Sequence, residues 1–244
     1  MITFWISLLA ISILLYVLLD GVDLGVGLLF GLANGEARRG RDVPWAKLFA
    51  LPQLWLITVA YFCYAWGSWF YFGWFTTWLV RGAGFTVPQM GLFASLPFLM
   101  GFVGNLVGGA VSEQMVVLYG RRRTYRAVTT ICLLAGGGLL LGMSAVRSHA
   151  LILILATLGF GIMDLMLPSA WAMCMSLGGS YGGTATGLMN TAGNLGGWVC
   201  TVLFGYAVSI TGNYNLPLRG VAVMVLFAAL VFSQVDCTRG LAVE

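Results

Sequence analysis

Apolar positions dominate the chain in seven long runs, at residues 3–32, 51–80, 88–118, 125–146, 149–177, 183–210 and 217–235. Short polar breaks separate them: "NGEARRGRDVPWAK", "RGAG", "GRRRTYR", "RSH", "GGSYGG" and "TGNYNLPLR". A helix crosses the hydrocarbon core in about 20 apolar residues. The pattern therefore predicts about seven transmembrane helices. A membrane-spanning barrel would instead show short alternating segments. Several runs exceed the bilayer length, so tilted helices or ends that leave the membrane are expected. None of the breaks is long enough to hold a soluble domain.

Polar residues inside the runs fall on faces. In the sixth run Gly183, Gly187, Asn190, Asn194 and Gly197 recur at spacings of 4, 3, 4 and 3, which places them on one side of a helix. Gly183/Gly187 and Gly193/Gly197 are small-residue pairs that let another helix approach. Asn190 and Asn194 bring hydrogen-bonding groups to that seam, either as interhelical ties or as the lining of a polar cavity. In the second run Tyr61, Tyr64, Ser68 and Tyr71 share a face. A buried tyrosine hydroxyl needs a partner, which a cavity or a neighbouring helix would supply. Trp78 and Trp74 are expected at the membrane interface, where aromatic belts form.

Acids within such runs are costly and are functional candidates. Asp164 lies near the middle of the fifth run, with Pro168 positioned to free a backbone carbonyl and bend the helix. Trp171 follows about one turn beyond. Asp20 and Asp23 lie in "VLLDGVDLGVGLLF", three apart and on one helix face. If both faced lipid they would be expected to protonate, because burial raises a carboxyl pKa. At the end of the third run, Glu113 precedes Gly120 and Arg121 to Arg123. That arginine cluster either latches neighbouring helices by charge or simply marks the cytoplasmic side.

Composition agrees with the membrane assignment: 60% of the 244 residues are hydrophobic and 8% charged, with a mean hydropathy of +0.94. Nine of the twelve basic residues fall on one side of the alternating loops, and only Arg81, Arg147 and Arg219 on the other. Basic loops face the cytoplasm, so the N-terminus is expected outside and the C-terminus inside. "MITFW" lacks the basic region of a signal peptide, so the first run is expected to be retained as a helix. The net charge of +4 is accounted for by these loops, and no nucleic-acid partner is implied. The five cysteines are scattered without a paired motif, as small buried hydrophobes are. His149 stands alone at a loop. No cofactor, metal or catalytic constellation is implied.

The ordered stretches "YFCYAWGSWFYFGWFTTWLVRGAGF", "LPFLMGFVGNLVGGAVSEQMVVLYGRRR", "DLMLPSAWAMCMSLGGSYGGTATGLMNTAGNLGG" and "TGNYNLPL" resemble the C-terminal half of a major facilitator superfamily transporter. More narrowly they resemble its anion:cation symporter group. The resemblance implies an all-α integral membrane protein whose last six helices, residues 41–244, form a half-bundle. Residues 51–146 and 149–235 would be its two inverted three-helix repeats. It also implies that Tyr61, Tyr64, Trp171, Asn190 and Asn194 face a central substrate route. Asp164 is read from its own place in the run, either as a group that handles proton or substrate or as a structural hydrogen-bonded acid. "GGAVSEQMVVLYGRRR" is similar to the family's repeated loop motif, with Glu113, Gly120 and Arg121 as its gating residues. The implied activity is symport of a small organic anion with a proton, in a bacterial inner membrane. Family members place their anion-binding arginine and main coupling acids in the other half. One copy is therefore expected to need a second six-helix half, or another copy, to complete a cycle.

Residues 1–40 resemble something else: the first helix of subunit II of cytochrome bd-type quinol oxidase, with its D-G-x-D-L-G-x-G signature. There Asp20 and Asp23 would belong to a buried region linked to proton uptake. Two alternatives to a transporter half stay open on sequence: a cofactor-less oxidase subunit fragment, and a non-transporting membrane scaffold.

Overall fold

A computed structural model describes residues 45–241. Asp20, Asp23 and the oxidase-like stretch lie outside the described residues. Among those described, the chain is helical and contains no strand. The principal helices are α1 (Pro52–Gly73), α2 (Leu96–Tyr119), α3 (Arg121–Ala145), α4 (His149–Leu165), α5 (Leu167–Gly178), α6 (Gly182–Thr211) and α7 (Asn215–Phe232). With α4 and α5 taken together, they correspond to the last six apolar runs.

Among the described residues, four helical stretches are long and apolar enough to cross a membrane: Val87–Tyr119, Arg121–Ala145, His149–Thr211 and Asn215–Phe232. The third is a 63-residue stretch, enough for two passes, and it is interrupted at Met166 and at Gly179–Tyr181. α1 has 22 residues, but its tyrosines and tryptophans lower its hydropathy. Large apolar side chains such as Leu99, Phe102, Leu106, Ile131 and Ile154 are exposed. In a soluble protein such a surface would be anomalous; on helices of this length and apolarity it is what a membrane-spanning bundle presents.

Glycine sets the close contacts. On α2 the buried face is Pro97, Gly101, Gly104, Gly108 and Ser112. A Cβ on Gly104 would collide with the carbonyl oxygen of Gly161, and one on Gly108 with that of Leu165. α2 and α4 thus pack backbone to backbone, as small-residue faces allow. α6 uses the same device on α1. Gly193 would place a Cβ 2.6 Å from the Tyr61 ring, Gly196 would meet the Phe62 carbonyl, and Gly197 the Trp69 indole. A Cβ on Gly183 or Gly187 would meet nothing within 4 Å. The single seam expected along α6 is therefore two: Gly193 and Gly197 are buried, while Gly183, Gly187, Asn190 and Asn194 are exposed.

The aromatic-belt expectation is corrected. Trp78 does not present its ring to lipid; it is 1% exposed, and its indole N–H donates to the Asn215 side-chain oxygen at 3.0 Å. The reason is periodicity. Trp78 follows Tyr71 and Phe75 at spacings of 7 and 3 on the same buried face, and its amide still donates to the Trp74 carbonyl; the π turn Trp78–Gly82 only begins there. Trp74 is also held by protein, donating to the Thr201 carbonyl at 3.1 Å. The fifth run, by contrast, is interrupted where Pro168 is expected to bend it: the helix breaks at Met166, because Pro168 has no amide hydrogen to offer the carbonyl of Asp164.

The end of the bundle near Gly120 is tied by charge. Gly120 adopts φ 80°, a conformation that favours glycine, and so turns α2 directly into α3. Asp236, beyond α7, accepts from Arg122 at 3.1 Å and lies 3.5 Å from Arg239. Its amide donates to Gln53 of α1 at 2.6 Å. Arg126 donates to the carbonyls of Gln234 and Val235. The chain after α7 is thereby fastened to α1 and α3. All five cysteines are buried and free.

Candidate functional site

A cavity of about 180 Å³ opens between α1, α4 and α6. Tyr61, Tyr64 and Ser68 reach it from α1, Asp164 from the end of α4, and Asn190 and Asn194 from α6. Phe72 and Phe160 form part of its apolar wall. These side chains meet because α1 and α6 approach through Gly193, Gly196 and Gly197, while the break at Met166 ends α4 just past Asp164.

The Tyr64 hydroxyl donates to Asp164 Oδ1 at 3.0 Å. Tyr61 and Tyr64 rings lie 5.4 Å apart, and the Tyr61 ring meets Trp171 edge-on at 6.4 Å. Trp171 does not line the cavity itself; it supports Tyr61 from α5. Asn190 and Asn194 stand on the exposed side of α6 and lie on the cavity wall. Tyr71, on the same stripe in sequence, is turned away: its hydroxyl donates to the Ala156 carbonyl at 3.0 Å.

Charge in the cavity is one-sided. Asp164 is its one ionisable carboxyl, and no Lys or Arg side chain lines it among the described residues. Its neutral groups, two tyrosine hydroxyls, a serine and two amides, can both donate and accept hydrogen bonds. Ser68 is buried, and its hydroxyl has no partner among the described residues. Such a group invites a ligand or water. Gly101 of α2 would place a Cβ 2.9 Å from Asp164 Oδ2, so the carboxylate is confined from that side.

The gating trio does not join this cavity. Glu113 and Arg121 border a separate groove with Ser112, Tyr125 and Pro168. They form no ion pair among the described residues. The charge latch runs through Asp236 instead. Its signal in the sequence is an acid in "VDCTRG", just past the last apolar run, on the side where nearly every basic residue collects. The glycines of α2 carry a signal of the same kind, spaced for one helix face in "GFVGNLVGG".

The family model of the Major Facilitator Superfamily matches residues 1–201. The chain belongs to that superfamily. It is 34% identical over 190 residues to a probable sulfoacetate transporter of Cupriavidus necator, covering 77% of this chain and 44% of that one. It is 27% identical to a probable galactarate/D-glucarate transporter of Bacillus subtilis, covering 86% and 47%. A hexuronate transporter of the same organism is 27% identical, covering 82% and 49%. The chain spans under half the length of these curated relatives. Their names are those of transporters, not enzymes. The superfamily match includes the stretch that resembles an oxidase helix, and these relatives give that second resemblance no support. With its apolar helices, this superfamily member is an integral membrane protein.

Proposed function

We propose that this chain supplies one half of a secondary transporter for a small organic anion, coupled to a proton. The observation that carries it is the Tyr64–Asp164 hydrogen bond between α1 and α4, in a cavity whose far wall is Asn190 and Asn194. In transporters, substrate and coupling sites lie near the membrane midplane, often beside a broken helix. Asp164 immediately precedes such a break. The relatives' printed substrates are sulfoacetate, galactarate or D-glucarate, and hexuronate, all organic anions.

In this proposal Tyr61, Tyr64, Asn190 and Asn194 contact the substrate, and Trp171 sets the position of Tyr61. Asp164 takes the proton. Its charge faces an anion with no protein cation beside it among the described residues, so it must be neutralised before the anion can share the cavity. A second six-helix half, or a second copy, covers the exposed face of α6 and supplies the missing positive charge. Residues 41–244 act as the half-bundle. The membrane is a bacterial inner membrane, with the N-terminus outside. Glu113, Gly120 and Arg121 gate the cytoplasmic end.

The test is uptake of radiolabelled glucarate or sulfoacetate into proteoliposomes holding the chain together with a complementing half, with and without an inward proton gradient. Gradient-driven uptake that fails for Asp164→Asn supports the proposal. Gradient-independent uptake in both proteins refutes proton coupling. A variant that is as active as the original under the gradient removes Asp164 from the proton step.

A further inference from the structure

A second groove, unrelated to the cavity, lies on the outer side of the α2–α3 turn. Its volume is about 210 Å³, and it is lined by Met115 and Tyr119 of α2 and by Arg123, Thr124 and Ala127 of α3. We propose that it binds one anionic glycerophospholipid, with the phosphate at Arg123 and the first turn of α3 and an acyl chain along the groove.

Three independent features point to that ligand. The first is a buried, unanswered polar group. Thr124 is 1% exposed, yet its hydroxyl has no hydrogen-bond partner among the described residues. The second is charge. Arg121, Arg122 and Arg123 occupy the first turn of a 25-residue helix that holds no acid there and whose N-cap is Gly120, without a capping side chain. Cations at the positive end of a helix dipole are unfavourable, and free amide hydrogens there attract anions. Asp236 answers Arg122, which leaves Arg121 and Arg123 without an ion pair among the described residues. The third is shape. Met115, Tyr119, Ala127 and the Arg123 stem make an apolar trough. Exposed Val111 and Leu118 on α2 and Ile131 and Leu134 on α3 extend it by helical spacing. A soluble phosphate would use the arginine and ignore the trough; a lipid uses both.

The test takes the purified full chain in neutral-detergent micelles, titrated with dioleoyl phosphatidylglycerol, dioleoyl phosphatidylcholine or inorganic phosphate. Bound lipid is counted by native mass spectrometry. Phosphatidylglycerol should bind at least about fivefold tighter than phosphatidylcholine, and Arg123→Gln should remove about fivefold of that affinity. Thr124→Val, which changes no charge, should also weaken it, while Arg147→Gln at the other end of α3 should not. Inorganic phosphate at equal concentration should displace none of the lipid. Equal binding of the two lipids, or wild-type binding by both Arg123→Gln and Thr124→Val, overturns the proposal. So does displacement by phosphate, which would make this a free-anion site. If Arg123→Gln does not fold, Thr124→Val decides alone.

Discussion

Arg122 at the start of α3 and Asp236 beyond α7 meet at 3.1 Å, with the carboxylate buried and the guanidinium half exposed. Burial opposes the charge of Asp236. The hydroxyl and amide of Thr238, with the charges of Arg122 and Arg126, outweigh it and hold the carboxyl below its ordinary value. A carboxyl depressed in the folded state stabilises above its unfolded pKa, and that stability is lost as pH falls through the folded value. Asp236→Asn should therefore lower the thermal midpoint at pH 7. The gap between variant and wild type should close as the pH is taken below about 4. A gap that is the same at pH 7 and pH 3 would mean the ion pair is not its source.

The α2–α4 contact leaves no room for a methyl group at Gly104, where the Gly161 carbonyl stands. Gly104→Val should cost about 1–3 kcal/mol or more through overpacking, seen as loss of monodisperse protein on size exclusion. Gly138→Ala, with nothing within 4 Å of the added carbon, is the control and should behave as wild type.

Tyr64→Phe removes one hydroxyl and one interhelical hydrogen bond, a stability loss of about 0.6–2 kcal/mol in a membrane. With a complementing half present, uptake should fall about tenfold, equivalent to 1.4 kcal/mol, while the amount of folded protein changes little. Asn194→Leu should behave likewise. If uptake falls only in step with folded protein, both residues merely hold helices together.

Orientation is open to labelling. With the cysteines removed, a cysteine at position 122 should resist an impermeant thiol reagent added to intact cells and react after permeabilisation. Labelling from outside would reverse the topology inferred from the basic loops.

Much of the helical layout is legible in the sequence, because lipid forces long apolar runs and backbone self-sufficiency. The breaks at residues 120, 147 and 212 stand out for that reason. The partners of Tyr61, Tyr64 and Asp164 are only half legible. Periodicity puts a side chain on a face, but it does not say which helix that face meets. Tyr71 and Tyr64 share a stripe, yet one ends on a backbone carbonyl and the other on a carboxylate. Trp78 lies seven residues past Tyr71 and so continues the buried face of Tyr61, Tyr64 and Tyr71; the aromatic-belt reading overlooks that spacing. The α6 stripe divides because Gly197 sits on its edge, on the side where Gly193 and Gly196 meet α1.

The break at Met166 also divides the cavity's supports between two bodies. α4, carrying Asp164, is locked to α2 by glycine–carbonyl contacts, whereas α5, carrying Trp171, lies mainly along α6. The acid and the aromatic support of the cavity are thus anchored separately, like two posts of one doorway set in different walls: Asp164 answers to α2, while a change confined to α5 reaches Tyr61 through Trp171.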